Sequence, residues 1–246
     1  MKILIELPTW LGDCIMATPA IENIVNFDND TQITLIGSFV SIEALENHPK
    51  VVKTIVLDKK YSALYKIAKS LGGFDVFFSF RSSTRSKFLK FLISAKNKYQ
   101  FDKNTYIDSH QVEKYNNFVN DSLNTDFPAG KLTLSAISHR PSTNKTVGLN
   151  PGASYGSAKR WYPEEFAKVA GELSGQYDIV IFGGPGETDI ASDIEKSLIE
   201  NGITNYQNLA GKTSITALIE NISNLDLFIT GDSGPMHVAA AFQVPT

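Results

Sequence analysis

Apolar positions along this chain switch between two periods. Short continuous apolar runs, the mark of strands buried on both faces, alternate with i, i+3, i+4 spacing, the mark of helices packed over such strands. Residues 2–7 form the first run, followed by a loop over 8–12 and a helical pattern through Ile15, Ile21, Ile24 and Val25. Pro19 has no N–H to bond back to Ile15, so it kinks this helix or delays its start. Residues 33–36, 54–57, 75–78 and 98–101 are the next strand candidates, with helices at about 39–47, 61–71, 84–93 and 110–122 between them. Repeated units of this kind predict a mostly parallel sheet covered on both faces.

From 123 to 146 the apolar period fails. Asn124, Thr125, Asp126, Pro128, Gly130, Pro141, Ser142 and Asn144 read as turn and linker residues, around one short strand at 132–134. The pattern then restarts with a strand at 146–149 and a helical stripe of Phe166, Val169, Ala170 and Leu173. A strand at 179–182, helices at about 188–200 and 215–222, a strand at 225–230 and a helix at about 234–242 follow. The expected organisation is two α/β halves, 1–140 and 141–246. The second half shows only about three full strands, and Val244-Pro245-Thr246 reads as the opening of another, so the second domain is expected to be incomplete.

Composition narrows the function classes. With 246 residues, 42% of them hydrophobic, the chain can bury a substantial core, and a net charge of −3 gives no global attraction to nucleic acid. Its one cysteine, Cys14, permits no intramolecular disulfide and fits a reducing compartment. The apolar N-terminal run is broken by Glu6 and Pro8, too early for a signal peptide, and no apolar run approaches the ~20 residues of a membrane span. A soluble, cytoplasmic protein is expected.

The chemistry concentrates at strand-to-helix junctions. The longest is Asn150-Pro151-Gly152-Ala153-Ser154-Tyr155-Gly156-Ser157-Ala158-Lys159-Arg160-Trp161-Tyr162-Pro163. Small residues there let backbone N–H groups approach an anion, and Lys159 and Arg160 can neutralise one; the alternative is a loop with a solvated lysine. Thr230-Gly231-Asp232-Ser233-Gly234-Pro235-Met236-His237 repeats the logic, with the N–H groups of Ser233 and Gly234 facing an anion. Asp232 either caps the following helix or binds sugar hydroxyls, since a carboxylate repels a diphosphate. His237, one helical turn on, is either packed or functional. Gly183-Gly184-Pro185-Gly186-Glu187 either brings Glu187 to ribose hydroxyls or is a tight turn with a capping acid. Asn208-Leu209-Ala210-Gly211-Lys212-Thr213-Ser214 is similar, with Ser214 placed to cap a helix. Asp13, just past the first strand, is either a helix N-cap or a general base facing a cleft.

Neither a three-glycine dinucleotide fingerprint nor a P-loop occurs. Cys14, His48, His110 and His139 make no metal-ligand or nucleophile pattern, and no metal site is expected.

Four segments in order, residues 7–13, Pro151-Gly152 through Ala158-Lys159-Arg160-Trp161, Asn208-Leu209-Ala210-Gly211 and residues 232–241, resemble the lipopolysaccharide core heptosyltransferases, glycosyltransferase family 9. The Ala-Lys-Arg-Trp and Asp-Ser-Gly-x-Met-His forms point to the heptosyltransferase II branch. The resemblance implies a GT-B fold: α/β, two Rossmann-like parallel-sheet domains facing across a cleft, acceptor side first and nucleotide-sugar side second. It also implies inverting transfer of heptose from ADP-L-glycero-D-manno-heptose, without cofactor or metal, to the inner core of lipopolysaccharide or lipooligosaccharide. By matching positions, Asp13 would be the catalytic base and Lys159 would bind the diphosphate. Glu187 and Asp232 would contact ribose and heptose hydroxyls, Ser154 and Gly234 would line the phosphates, and Thr213 would lie near the adenine. Family members continue beyond Val-Pro-Thr, which leaves open a non-catalytic nucleotide-sugar binder; another GT-B transferase or epimerase with a different activated sugar is also open.

Residues 81–103 carry Arg81, Arg85, Lys87, Lys90, Lys96, Lys98 and Lys103 against one acid, Asp102. The ordinary reading is a solvated face. Under the resemblance it belongs to the acceptor side, where Arg81, Arg85, Lys87 and Lys90 would meet an anionic acceptor of lipid A, Kdo and heptose. Interleaved Phe88, Leu89, Phe91 and Leu92 add an expected peripheral contact with the cytoplasmic face of the inner membrane.

Overall fold

After its first residue, every side chain of β1 (Lys2–Glu6) is buried, as befits a parallel strand flanked on both edges and covered on both faces. The computed structural model describes residues 1–58, 60–135, 144–152, 156 and 159–246. The chain divides into two units, Met1–Ser135 and Ala136–Thr246.

In the first unit, β1 lies between β2 (Gln32–Gly37) and β4 (Gly73–Ser79), with β3 (Val51–Val56) and β5 (Ser94–Gln100) at the edges, in the order β3-β2-β1-β4-β5. All four pairings are parallel. The connecting helices are α1 (Leu11–Met16), α2 (Thr18–Phe27), α3 (Phe39–Leu45), α4 (Tyr61–Ser70), α5 (Thr84–Leu92) and α6 (Gln111–Leu123). On one face of the sheet, Leu4, Ile36 and Phe77 pack against Leu64 and Ala68 of α4 and Leu89 of α5. On the other, Phe78, Phe80 and Phe101 meet Tyr115 and Phe118 of α6, at ring-centroid distances from 5.0 to 6.1 Å.

Two sequence expectations change here. The first helix is two helices, because Pro19 sits in the first turn of α2, where a missing N–H is tolerated. The Thr18 hydroxyl instead donates to the Ile15 carbonyl (2.8 Å). Residues 132–134 are not a strand. The Thr133 N–H donates to Thr18 Oγ1 (3.0 Å) and its hydroxyl to Glu22 Oε1 (3.2 Å), so α2 side chains take the place of a ladder. Upstream, Asn116 and Asn120 both donate to the Phe127 carbonyl (2.8 Å each), and Asn124 ends α6 in the left-handed region. The expected linker is thus fastened to the first unit as far as residue 135, and 136–143 lie outside the described residues.

The second unit holds β6 (Lys145–Asn150), α7 (Pro163–Leu173), β7 (Tyr177–Ile181), α8 (Thr188–Glu200), β8 (Tyr206–Asn208), α9 (Ile215–Ser223), β9 (Leu227–Thr230) and α10 (Gly234–Ala241). Its sheet, β8-β7-β6-β9, is parallel and has four strands, where the apolar pattern showed about three. The extra strand is Tyr-Gln-Asn at the sheet edge, too short and too polar for hydropathy to reveal. Val147, Leu149, Ile179 and Ile181 pack against Phe166 and Ala170 of α7 and Ala191, Ile194 and Leu198 of α8. The Phe228 N–H donates to the Pro245 carbonyl (2.9 Å), so the last residues run alongside β9. Among the described residues no helix is long and apolar enough to cross a membrane.

In both sheets the strand order reverses beside the first strand: β1 is flanked on one side by β2 and on the other by β4, and β6 by β7 and by β9. Ligands of open α/β sheets bind outside the carboxyl ends of strands at such a switch point.

Gly148 makes the centre of the second sheet possible. A Cβ there would come within 2.5 Å of Leu225 Cδ1, 2.7 Å of Phe228 and 2.9 Å of Phe182, all buried. Gly148→Ala is therefore expected to destabilise the second unit by about 1–3 kcal/mol through overpacking, read as a lower urea midpoint. An unchanged midpoint would show that the three side chains repack freely.

Candidate functional site

In the first unit the loop after β1 is held from α3. Ser38 Oγ donates to the Thr9 carbonyl (2.8 Å), Ser41 Oγ donates to the Pro8 carbonyl, and the Cys14 thiol lies 3.7 Å from the Ser41 carbonyl. This fixes where α1 begins. Its N-cap is Trp10, and Asp13 is the third residue of the helix, half-buried. Asp13 is therefore not the N-cap residue. It is close enough to Tyr115 that burial first, and the Asp13 charge second, push the Tyr115 hydroxyl well above its ordinary pKa.

The other side of the same switch point carries Arg81, just after β4, and Arg85 near the start of α5. Arg81 Nη1 lies 3.8 Å from Oε1 of Glu6, the fully buried last residue of β1. Arg85 Nη2 donates to the Asp58 carbonyl. Lys87 and Lys90 fall one helical turn apart on α5, Lys87 exposed and Lys90 half-buried. The basic run of the sequence is thus not one patch, since Lys96 on β5 pairs with Asp75 at 2.7 Å.

In the second unit the loops after β6, β7 and β9 converge. Lys159 Nζ donates to Asp232 in an ion pair, and the hydrogen bond and charge of Lys159, with a smaller effect from His237, hold the Asp232 carboxyl below the usual carboxylate range. The Lys159 carbonyl packs so closely on Gly231 that a Cβ there would meet it at 2.7 Å. The N-cap of α10 is Ser233, so Asp232 precedes the helix and is not its N-cap residue either. Gly234 and His237 lie on α10.

Glu187 stands at the N-cap of α8 without a side-chain capping bond. Its Oε2 accepts from the Gly184 N–H (2.7 Å) and its carboxylate lies over Gly152, where a Cβ would approach Glu187 Cδ to 2.1 Å. The Gly211 N–H donates to the Gly183 carbonyl (2.9 Å), joining the loop that carries Thr213 to this group. Ser214 caps α9 by accepting from the Ala217 N–H, as expected. Lys159, Glu187, Asp232, Ser233 and Gly234 thus come from the carboxyl ends of one sheet, with Thr213 towards its β8 side. Ser154 lies outside the described residues.

Sequence reading missed Asn150. Buried at the end of β6, its amide donates to Thr230 Oγ1 (3.1 Å) and Ser233 Oγ (3.1 Å), tying the β6 and β9 loops together. It missed Glu6 and its partners Ser79 and Ser86 as well. The available signal was the same in both units: a polar residue closing an otherwise apolar strand.

Residues 65–246 match the family model described as Glycosyltransferase family 9 (heptosyltransferase). The chain belongs to this family. It is 44% identical over 255 aligned positions to lipooligosaccharide heptosyltransferase 2 of Campylobacter jejuni, covering 100% of this chain and 79% of that protein. The solved structure of Escherichia coli ADP-heptose LPS heptosyltransferase II superposes with a TM-score of 0.84 at 22% identity, covering 98% of this chain and 82% of that one. Escherichia coli heptosyltransferase WaaC with ADP gives 0.82 at 17% identity, covering 100% and 86%. These two likenesses establish the GT-B type fold. The chain is a glycosyltransferase of the heptosyltransferase family, as the resemblance implied.

Proposed function

We propose that this chain transfers L-glycero-D-manno-heptose from ADP-L-glycero-D-manno-heptose to the inner core of lipooligosaccharide, with inversion and without a metal. The observation that carries the reading is the 44% identity over the whole chain to lipooligosaccharide heptosyltransferase 2. In this reading Asp13 takes the proton from the acceptor hydroxyl as its oxygen attacks the anomeric carbon. The bond between that carbon and the ADP oxygen breaks, and ADP leaves as an anion. Lys159 and the positive end of α10 at Ser233 and Gly234 stabilise the departing charge, a task otherwise given to a divalent cation. The diphosphate takes Lys159 from Asp232, which turns to donor hydroxyls with His237 beside it. Glu187 serves the ribose, and Thr213 lies toward the adenine.

The acceptor is an anionic glycolipid, and we assign its recruitment to α5. Phe91 is 79% exposed and Phe88 packs edge-on against Tyr61 of α4 at 5.6 Å, so aromatic rings stand beside Lys87 and Lys90 on one surface. Such a surface suits the anionic cytoplasmic face of a membrane.

Three outcomes test these assignments. Lys159→Ala should weaken ADP binding by about 1.5–3 kcal/mol in calorimetry, the scale of a charge-assisted hydrogen bond; unchanged affinity returns Lys159 to a solvated loop. Asp13→Asn should keep ADP affinity and melting temperature while lowering heptose transfer by ~10²–10⁴-fold. Near-normal turnover would remove Asp13 from the chemistry. Liposomes with anionic lipid should co-sediment the protein at low salt and release it at high salt, where charges more than about 3–10 Å apart are screened. Replacing Arg85, Lys87 and Lys90 by Ser should abolish the effect, and equal binding by both proteins would leave this surface a merely solubilising one.

A further inference from the structure

Glu6 is a carboxylate in a place that the fold would fill more cheaply with an apolar side chain. It closes β1, pairs in register with Ile36 and Ser79, and is fully buried behind Leu4 and Ile5. Both its oxygens are engaged. Ser79 Oγ donates to Oε2 (2.6 Å) and Ser86 Oγ to Oε1 (2.9 Å), with Arg81 Nη1 3.8 Å from Oε1. Burial raises the carboxyl pKa, and Ser79, Arg81, Ser86 and Arg85 all oppose that rise. A buried ion cluster of this kind is weak ground for stability, since apolar replacements of similar volume often do as well or better. Its location is the informative part: the carboxyl ends of β1 and β4, at the sheet's switch point, on the same side as Asp13.

The arginines around it are held without being used up. The Arg81 carbonyl accepts from Gln100 Nε2 (3.0 Å) and its N–H donates to Ser79 Oγ (3.4 Å), which fixes its backbone. Its side chain is 22% exposed, so it is partly open to solvent while Nη1 lies near Glu6. Arg85 is oriented through the Asp58 carbonyl, and its buried Nε has no hydrogen-bond partner among the described residues. Arg81 is the nearer cation, and the charges of both arginines act on the Glu6 carboxyl.

We propose that Glu6 is a positioning residue, which, with Ser79 and Ser86, holds Arg81 in the orientation from which it binds an anionic group of the acceptor. Glu6 does not touch the acceptor; it fixes the rotamer of the side chain that does. The inference rests on the proposed acceptor role of Arg81.

The test is a binding cycle by calorimetry with wild type, Glu6→Gln, Arg81→Ala and the double variant. The acceptor probe is O-deacylated lipooligosaccharide truncated to the lipid A phosphates, Kdo and one heptose; ADP is the reference ligand. Glu6→Gln should weaken probe binding by about tenfold, the scale of one charge-assisted hydrogen bond lost or misaligned, and leave ADP affinity unchanged. The double variant should bind the probe no more weakly than Arg81→Ala alone. Additive losses, equal losses for probe and ADP, or normal probe binding by Glu6→Gln would each overturn the positioning role. Normal probe binding by Arg81→Ala, or none by wild type, would overturn the acceptor reading beneath it. Should Glu6→Gln not fold, Ser86→Ala, which frees Oε1, carries the same cycle and the same criteria.

Discussion

Burial of both faces of each parallel sheet is the constraint from which the rest follows. A strand such as β1 or β6 can carry almost no polar side chain along its length, because each face is sealed by a helix. Polar groups are therefore displaced to the strand ends, where backbone and loop atoms can satisfy them. Glu6 ends β1 and is met by Ser79 at the end of β4; Asn150 ends β6 and is met by Thr230 at the end of β9. The two units share no sequence repeat at these positions, yet each knots the two strands flanking its switch point with one buried polar side chain. That knot ties down the loop starts that lead to Arg81 and Asp232, through Ser79 and Ser233.

The two knots differ in charge, and the difference suits different tasks. Around Asn150 the network is neutral, which leaves the local field to Lys159, Asp232 and the end of α10. Lys159 and Asp232 are both substantially exposed, so their pair contributes at most about 1 kcal/mol and can be exchanged for a ligand at little cost. A diphosphate, with more charge than one carboxylate, competes well for such a lysine. Glu6 is different. Once its carboxylate is buried, removing a partner leaves an uncompensated charge, so Arg81 is far less free to wander than Lys159.

Much of this fold was legible because parallel strands buried on both faces announce themselves as apolar runs. β1, β2, β6 and β7 lie where the hydropathy pattern placed strands. β8 was not legible, since Tyr206–Asn208 is strand only because the edge of β7 offers it a ladder. The 132–134 strand failed for the converse reason: its residues are strand-like, but Thr18 and Glu22 bind them before any strand edge does. At the candidate site, sequence showed which residues were chemically able and not how they were seated. Asp13 and Asp232 each read as a cap or as a site residue, and the helix starts at Leu11 and Gly234 show that neither is the N-cap residue. Asn150 and Glu6 were given no role of their own because hydropathy treats a polar residue after an apolar run as punctuation.

Charge counting along the chain met the same limit. Arg81, Arg85, Lys87, Lys90 and Lys96 look like one basic surface when read in order, since the only acid among residues 81–103 is Asp102. The parallel topology brings in the acids that order hides. β1 delivers Glu6 to Arg81, and β4 delivers Asp75 to Lys96, in both cases from a neighbouring strand. What is left over is smaller and differently placed: Arg81 beside Glu6, Arg85 bonded to the Asp58 carbonyl, and two lysines with exposed Phe91 on α5. A single basic run thus divides into a guanidinium beside a buried carboxylate and lysines on an exposed helix surface that also carries Phe91. The sheet decides which residues go to which, because only those next to a buried carboxylate lose their freedom.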